Sequence, residues 1–182
     1  PPAPPAPSAV ESALLGPVTP FDAAVVVDAP GEVTPSRAGT AFSIADEGRW
    51  ITARHVVEGC RRPALMIGGA RAVAADVRLA PHADLALLIT EGGPSALALK
   101  GAKPPTVGQL AFHPGYPHGR AGEVSSRLLG EDVLRPGRRG QAPERVMVWA
   151  EVGRTVGLEG SLAGLSGAPV MDGTPVASTG AD

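Results

Sequence analysis

The sequence predicts an all-β fold, and three observations carry that expectation. Short runs of β-branched or alternating apolar residues recur along the chain. Gly, Pro and Asp punctuate the gaps between them, and extended helical periods are missing. Many short strands with turn signals between them belong to a barrel or a sandwich.

The elements follow in order. The chain opens on Pro1-Pro2-Ala3-Pro4-Pro5-Ala6-Pro7-Ser8, a semi-rigid polyproline linker that contributes nothing to a core. The linker points to something attached upstream, such as a cleaved signal or a membrane anchor, although an artificial chain start would look the same. A short helical turn is expected over 11–15 and another over 56–60. Strands are expected over 23–27, 39–45, 50–52, 64–67, 72–79, 85–90, 109–112, 123–130, 145–152, 169–171 and 175–178. Alanine and glycine are abundant and aromatic residues make up only 3% of the chain, so the core is built from small side chains at close spacing. No internal repeat is visible.

Composition narrows the function classes. A chain of 182 residues can bury one sizeable core. A net charge of −2 gives no basic footprint for nucleic acid. No run of 18 apolar residues offers a membrane span, and no charged-then-apolar segment opens the chain. Cys60 is the single cysteine, so an internal disulfide is excluded, and it reads as a small core residue rather than a reactive thiol. Arginine greatly outnumbers lysine, a compositional trait of GC-rich bacterial genomes.

Three segments carry chemistry. Near the C-terminus lies Gly164-Leu165-Ser166-Gly167-Ala168-Pro169-Val170, a serine between small residues. Upstream are Thr52-Ala53-Arg54-His55-Val56-Val57 and Asp84-Leu85-Ala86-Leu87-Leu88. A serine hydroxyl is a poor nucleophile near neutral pH and needs a base for its proton, a task suited to an imidazole. His55 is the candidate base, Ser166 the candidate nucleophile, and Asp84 the acid that would fix the ring tautomer; Asp76 is the runner-up acid. The apolar run after Asp84 leads its backbone into the core, so a buried orienting role is expected. Flanking small residues would let the amides of Gly164 and Ser166 converge on a developing oxyanion. All four histidines precede Ser166, which excludes the Ser…Asp…His order of α/β-hydrolases and leaves His…Asp…Ser.

These segments resemble the trypsin-like (chymotrypsin-fold) serine peptidases, in particular the short bacterial branch that includes the HtrA/Deg protease domains. Gly39-Thr40-Ala41-Phe42-Ser43-Ile44 resembles the strand before the histidine in that group. Trp50 to Val57 resembles its histidine segment, Asp84 to Leu88 its aspartate strand, and Gly164 to Val170 its serine loop. Phe112-His113-Pro114-Gly115-Tyr116-Pro117 is similar to the strand end between aspartate and serine. Five motifs in order cover residues 21–182 and are far more specific than any one of them.

The resemblance implies two six-stranded antiparallel Greek-key β-barrels with the active site in the cleft between them. It places a linker over 1–20, an N-terminal barrel over about 21–100 and a C-terminal barrel over about 105–182. It implies a serine endopeptidase working through an acyl-enzyme, with a protein or peptide as substrate and no cofactor. An exported setting, periplasmic or membrane-tethered, goes with it. Gly160 would stand at the base of the primary specificity pocket and Gly180 and Ala181 along its wall. An uncharged Gly160 favours a small or uncharged apolar substrate side chain.

Three positions depart from the family pattern. Leu165 replaces the aspartate with which animal trypsins bind a freed N-terminus, so activation by that route is not expected. Ala168 replaces the second glycine after the serine, and Arg54 stands where digestive enzymes have a small residue. None of the three removes a catalytic atom.

Other readings are weaker. A catalytically silent relative used for binding or regulation would usually lack a triad member. A subtilisin-like order could start from Asp28 or Asp46, but that fold needs long helical periods. His113 and His118, with four residues between them, fit zinc-ligand spacing, yet Pro114, Gly115 and Pro117 make the segment a turn and no second pair accompanies it, so no metal is expected. Arg135-Pro136-Gly137-Arg138-Arg139-Gly140 reads as a solvated loop between the barrels, with contact to acidic substrate or anionic lipid as its alternative.

Overall fold

Arg49–Thr52 alternates exposed, buried, half-buried and buried, as a strand with one apolar face should. It lies in a computed structural model that describes residues 22–28, 38–67, 71–97, 99, 103–135 and 143–172. The expectations for 1–20, 136–140, 175–178, Gly180 and Ala181 fall outside the described residues.

The strands are β1 (Asp22–Asp28), β2 (Ala38–Ala45), β3 (Arg49–Thr52), β4 (Arg62–Ile67), β5 (Arg71–Ala74), β6 (Asp76–Leu79), β7 (Ala86–Ile89), β8 (Leu110–Gly115), β9 (Gly122–Leu134), β10 (Glu144–Arg154) and β11 (Met171–Asp172). One helical turn, α1 (Arg54–Val57), follows β3, and a 3-10 turn, Pro117–Gly119, follows β8. The all-β expectation holds.

Two antiparallel sheets form, one of seven strands in the order β5-β4-β1-β2-β3-β7-β6 and one of four in the order β10-β9-β8-β11. Where a pair of six-stranded barrels was expected, the described residues show one seven-stranded and one four-stranded sheet, and among them no ladder closes either sheet. The first sheet contains a bend. The expected single strand over 72–79 is split at Ala75: its amide still donates to Pro63 O (3.0 Å), the last contact in the β4 register, and from Asp76 onward the chain pairs with β7 instead. Its halves become the two edges of the sheet, β5 pairing with β4 and β6 with β7. Because one residue joins those edges, the sheet must curl until they meet.

The core of the first sheet is Ala41, Trp50, Val56, Val57, Leu65, Ala86 and Leu88, with Ala53, Cys60, Ile67, Ala75 and Val77 packed around it. Cys60 is half-buried there. Trp50 is fully buried, and its indole N–H donates to Thr90 Oγ1 (2.9 Å), which supplies the partner a buried Trp needs. In the second sheet Ala111, Phe112, Val124, Leu128 and Val152 are buried, and Leu158, in the turn after β10, is buried beside Gly122. Pro114 is tolerated in β8 because β11 pairs only with Ala111 and Phe112, leaving the strand free on that side at 114.

Candidate active site

Val56 and Val57 anchor α1 in the core, which leaves His55 on the outer side of the turn. Asp84 ends the loop between β6 and β7, closed by Ala80 N donating to Leu85 O (2.9 Å). The two residues meet twice. The backbone N–H of His55 donates to Asp84 Oδ1 (2.9 Å), and its ring Nδ1 lies 2.6 Å from Asp84 Oδ2. An ionised carboxylate only accepts, so Nδ1 carries the proton and Nε2 keeps a free lone pair. That tautomer is the one a base working through Nε2 requires.

Asp84 is not buried as expected: its side chain is 50% exposed, and that of His55 57%. The apolar residues after Asp84 carry the chain inward, but the aspartate itself sits where the loop is still outside. Its orientation comes from the double hydrogen bond and not from burial. Arg54 reinforces the pair by bridging the two segments. It donates to Ala80 O (3.0 Å) in the aspartate loop and pairs with Glu58 (2.6 Å) at the end of α1. Sequence reasoning treated Arg54 only as a departure from pattern; its reach to a carbonyl 26 residues away leaves no local signal.

Ser166 belongs to a loop of consecutive turns, with Leu165 N donating to Leu162 O (3.0 Å) and Ala168 N to Leu165 O (2.9 Å). Both flanking glycines are required. At Gly167 φ is +89°, and a Cβ there would fall 2.1 Å from Thr40 O; at Gly164 φ is +101°, and a Cβ would fall 2.5 Å from Tyr116 O. The loop docks on β2, where Thr40 N donates to Ser166 O (2.8 Å) and the Thr40 hydroxyl to Gly164 O (2.9 Å). This brings the serine of the second sheet onto the sheet that presents the histidine and aspartate. Ser166 Oγ makes no hydrogen bond to His55. Among the described residues the amides of Gly164 and Ser166 are also without hydrogen-bond partners. Leu165 is half-buried, its Cδ1 3.0 Å from where a Gly115 Cβ would stand, so it packs between loop and strand end.

Gly160 is exposed with φ +82°, in a turn held by Arg154, whose guanidinium donates to Leu158 O (2.8 Å) and Gly160 O (2.9 Å). Hydrogen bonding to Glu151 raises the already high pKa of Arg154, so this clamp stays charged. His118 supports the neighbouring stretch. Its ring Nε2 bonds Ser161 O (2.6 Å) and its backbone N–H donates to Ala163 O (2.6 Å). His113 lies apart from it, with Nε2 2.5 Å from Ser126 Oγ and its ring edge-on to Trp149. Among the described residues no three metal-ligating side chains converge.

The family described as "Trypsin-like peptidase domain" matches residues 39–175. No curated protein matches the chain. Among solved structures, the inactive form of the Rv3671c protease is similar at 22% identity and a TM-score of 0.69, over 94% of this chain and 82% of that one. The active form of Rv3671c from M. tuberculosis is similar at 23% identity and a TM-score of 0.69, over 94% and 74%. The HtrA-type protease AlgW with a decapeptide is similar at 16% identity and a TM-score of 0.63, over 88% of this chain and 55% of that one. At these identities the likeness is one of fold. The motifs in order, the serine loop docked on β2 and the family match over 39–175 agree: the chain belongs to the trypsin-like peptidase domains.

Proposed function

We propose that the chain is a serine endopeptidase that hydrolyses peptide bonds through Ser166, His55 and Asp84. The observation that carries this reading is the double hydrogen bond between His55 and Asp84, which sets the ring with Nε2 unprotonated. In the mechanism, Ser166 Oγ attacks the substrate carbonyl carbon while Nε2 takes its proton. The amides of Gly164 and Ser166 receive the oxyanion. The imidazolium then protonates the leaving amine, the acyl-enzyme forms, and water repeats the sequence to release the acid. Asp84 stabilises the imidazolium without taking its proton. Gly160, Gly180 and Ala181 belong to the primary specificity pocket in this reading, with a small or uncharged side chain as the preferred substrate residue. An exported or membrane-tethered setting is part of the same proposal.

One observation favours a second reading, a domain that is silent or active only conditionally: Ser166 and His55 are not hydrogen-bonded. Catalytic contacts are often long in free enzymes and tighten with substrate, so the first reading stands. A fluorophosphonate probe separates the two. Labelling that maps to Ser166, with Ser166→Ala unlabelled and its peptide turnover lowered on the order of 10⁶-fold, is expected. A wild-type chain that resists the probe would establish the silent reading.

A further inference from the structure

Thr40 hydrogen-bonds to neither His55 nor Asp84, yet every polar atom it has is engaged. Fully buried in β2, it donates its N–H to Ser166 O (2.8 Å) and accepts at its carbonyl from Thr52 Oγ1 (2.7 Å). Its hydroxyl donates to Gly164 O (2.9 Å) and accepts from Tyr116 N (2.9 Å). One side chain thus joins the serine loop to the end of β8.

The consequence lies in the peptide planes around Gly164. A trans peptide holds its C=O and N–H antiparallel, so fixing one fixes the other. His118 N holds Ala163 O (2.6 Å), which directs the Gly164 N–H away from the 117–119 turn. On the other side the Thr40 hydroxyl holds Gly164 O, which directs the Leu165 N–H to the opposite side, where it meets Leu162 O (3.0 Å). Both planes flanking Gly164 are therefore pinned. A glycine at φ +101° has no side chain to resist rotation, so these pins do what sterics would do at another residue. The pins are also coupled, because Tyr116, two residues before His118, donates to the hydroxyl that holds Gly164.

We propose that Thr40 is a positioning residue: its hydroxyl holds the Gly164 carbonyl and, beside the His118–Ala163 bond that fixes the plane of the Gly164 N–H, keeps the glycine backbone in an oxyanion-donor orientation. The proposal rests on the serine-endopeptidase reading above. Its test compares wild type with Thr40→Val, which keeps the shape and removes the hydroxyl, and Thr40→Ser, which restores it. The rates read are fluorophosphonate labelling of Ser166 and acylation by p-nitrophenyl acetate, with circular dichroism confirming the fold. Removing an oxyanion donor outright costs about 10²–10³ in rate, so a loosened one should cost on the order of 10-fold or more. Thr40→Val is expected to lose that much in kcat with KM little changed, and Thr40→Ser to stay within about threefold of wild type. A valine variant as fast as wild type, or a serine variant as slow as valine, would overturn the proposal. If the valine variant does not fold, Thr40→Ala is read in the same way; failure of both to fold would make the hydroxyl architectural and also overturn it. A wild type that neither labels nor acylates overturns the protease reading itself, whereas a reactive wild type with an undiminished valine variant overturns only the role of Thr40.

Discussion

Two hydrogen bonds from His55 to one carboxylate do at the residue scale what burial does in a closed core. The ring cannot rotate without breaking the Nδ1 contact, and the carboxylate cannot turn without losing the backbone N–H. Asp84→Asn keeps the size but presents an amide, which can donate to Nδ1 and leave the proton on Nε2. The expected result is a drop in kcat on the order of 10⁴ with the fold intact, measured by steady-state hydrolysis beside a thermal melt. A loss of less than tenfold would remove Asp84 from its assigned role and return attention to Asp76. The sequence made both partners visible, because His55 follows and Asp84 precedes a recognisable apolar strand. It did not reveal the exposure of Asp84, since the hydrophobic run reports where the following backbone goes and not where the aspartate side chain stops.

The serine loop, Leu162 to Ala168, shows what is fixed at the scale of an element. Its shape depends on two residues with positive φ and on a backbone surface, β2, that a Cβ would strike. Gly167→Ala should therefore do more than strain one dihedral. Left-handed backbone at a residue with a Cβ costs about 1–2 kcal/mol, and the 2.1 Å approach to Thr40 O can be relieved only by lifting the loop from β2. Fluorophosphonate labelling is expected to fall by about 100-fold or more, as for a lost oxyanion donor, with a lower melting temperature; an alanine variant that labels at the wild-type rate would show that the loop is not held where described. Ala168, one residue on, carries its Cβ without such a conflict. The glycines around Ser166 were legible as a tight loop. What they pack against was not, because Thr40 and Gly164 are 124 positions apart in sequence. The strand expected over 123–130 was likewise cut short at Gly130, whereas β9 continues to Leu134. Opposite Val148 and Trp149 the register shifts by one, and the extra residue is Leu129 of β9, beside Gly130, so the strand runs on past the glycine.

At the scale of the whole molecule, stability carries a pH dependence set by a histidine outside the candidate site. Burial lowers the pKa of His113, whose ring lies against Ser126 and Trp149. Its folded pKa is below the unfolded value of about 6.5, so the unfolded chain takes up the proton first. Stability is therefore lost as pH falls from the unfolded pKa toward the folded one, and it is retained at neutral pH. In His113→Gln that part of the acid sensitivity should disappear. Urea midpoints at pH 7.5 and pH 5 check this, and an equal fall in variant and wild type would contradict it. The all-β class was readable from the spacing of short apolar runs, but the sheet organisation was not. The run over 72–79 contains neither Gly nor Pro, so nothing local marks the bend at Ala75. That bend has a consequence for association between molecules. An open sheet normally offers two rows of unpaired N–H and C=O groups on which another chain can build. In the first sheet those rows belong to β5 and β6, four residues each, and they run into one another at Ala75. A foreign strand laid along either edge meets the other after a few residues and cannot extend. A single bend at an alanine thus protects this sheet from edge-to-edge aggregation, a task that other open sheets give to lysines, prolines or covering loops.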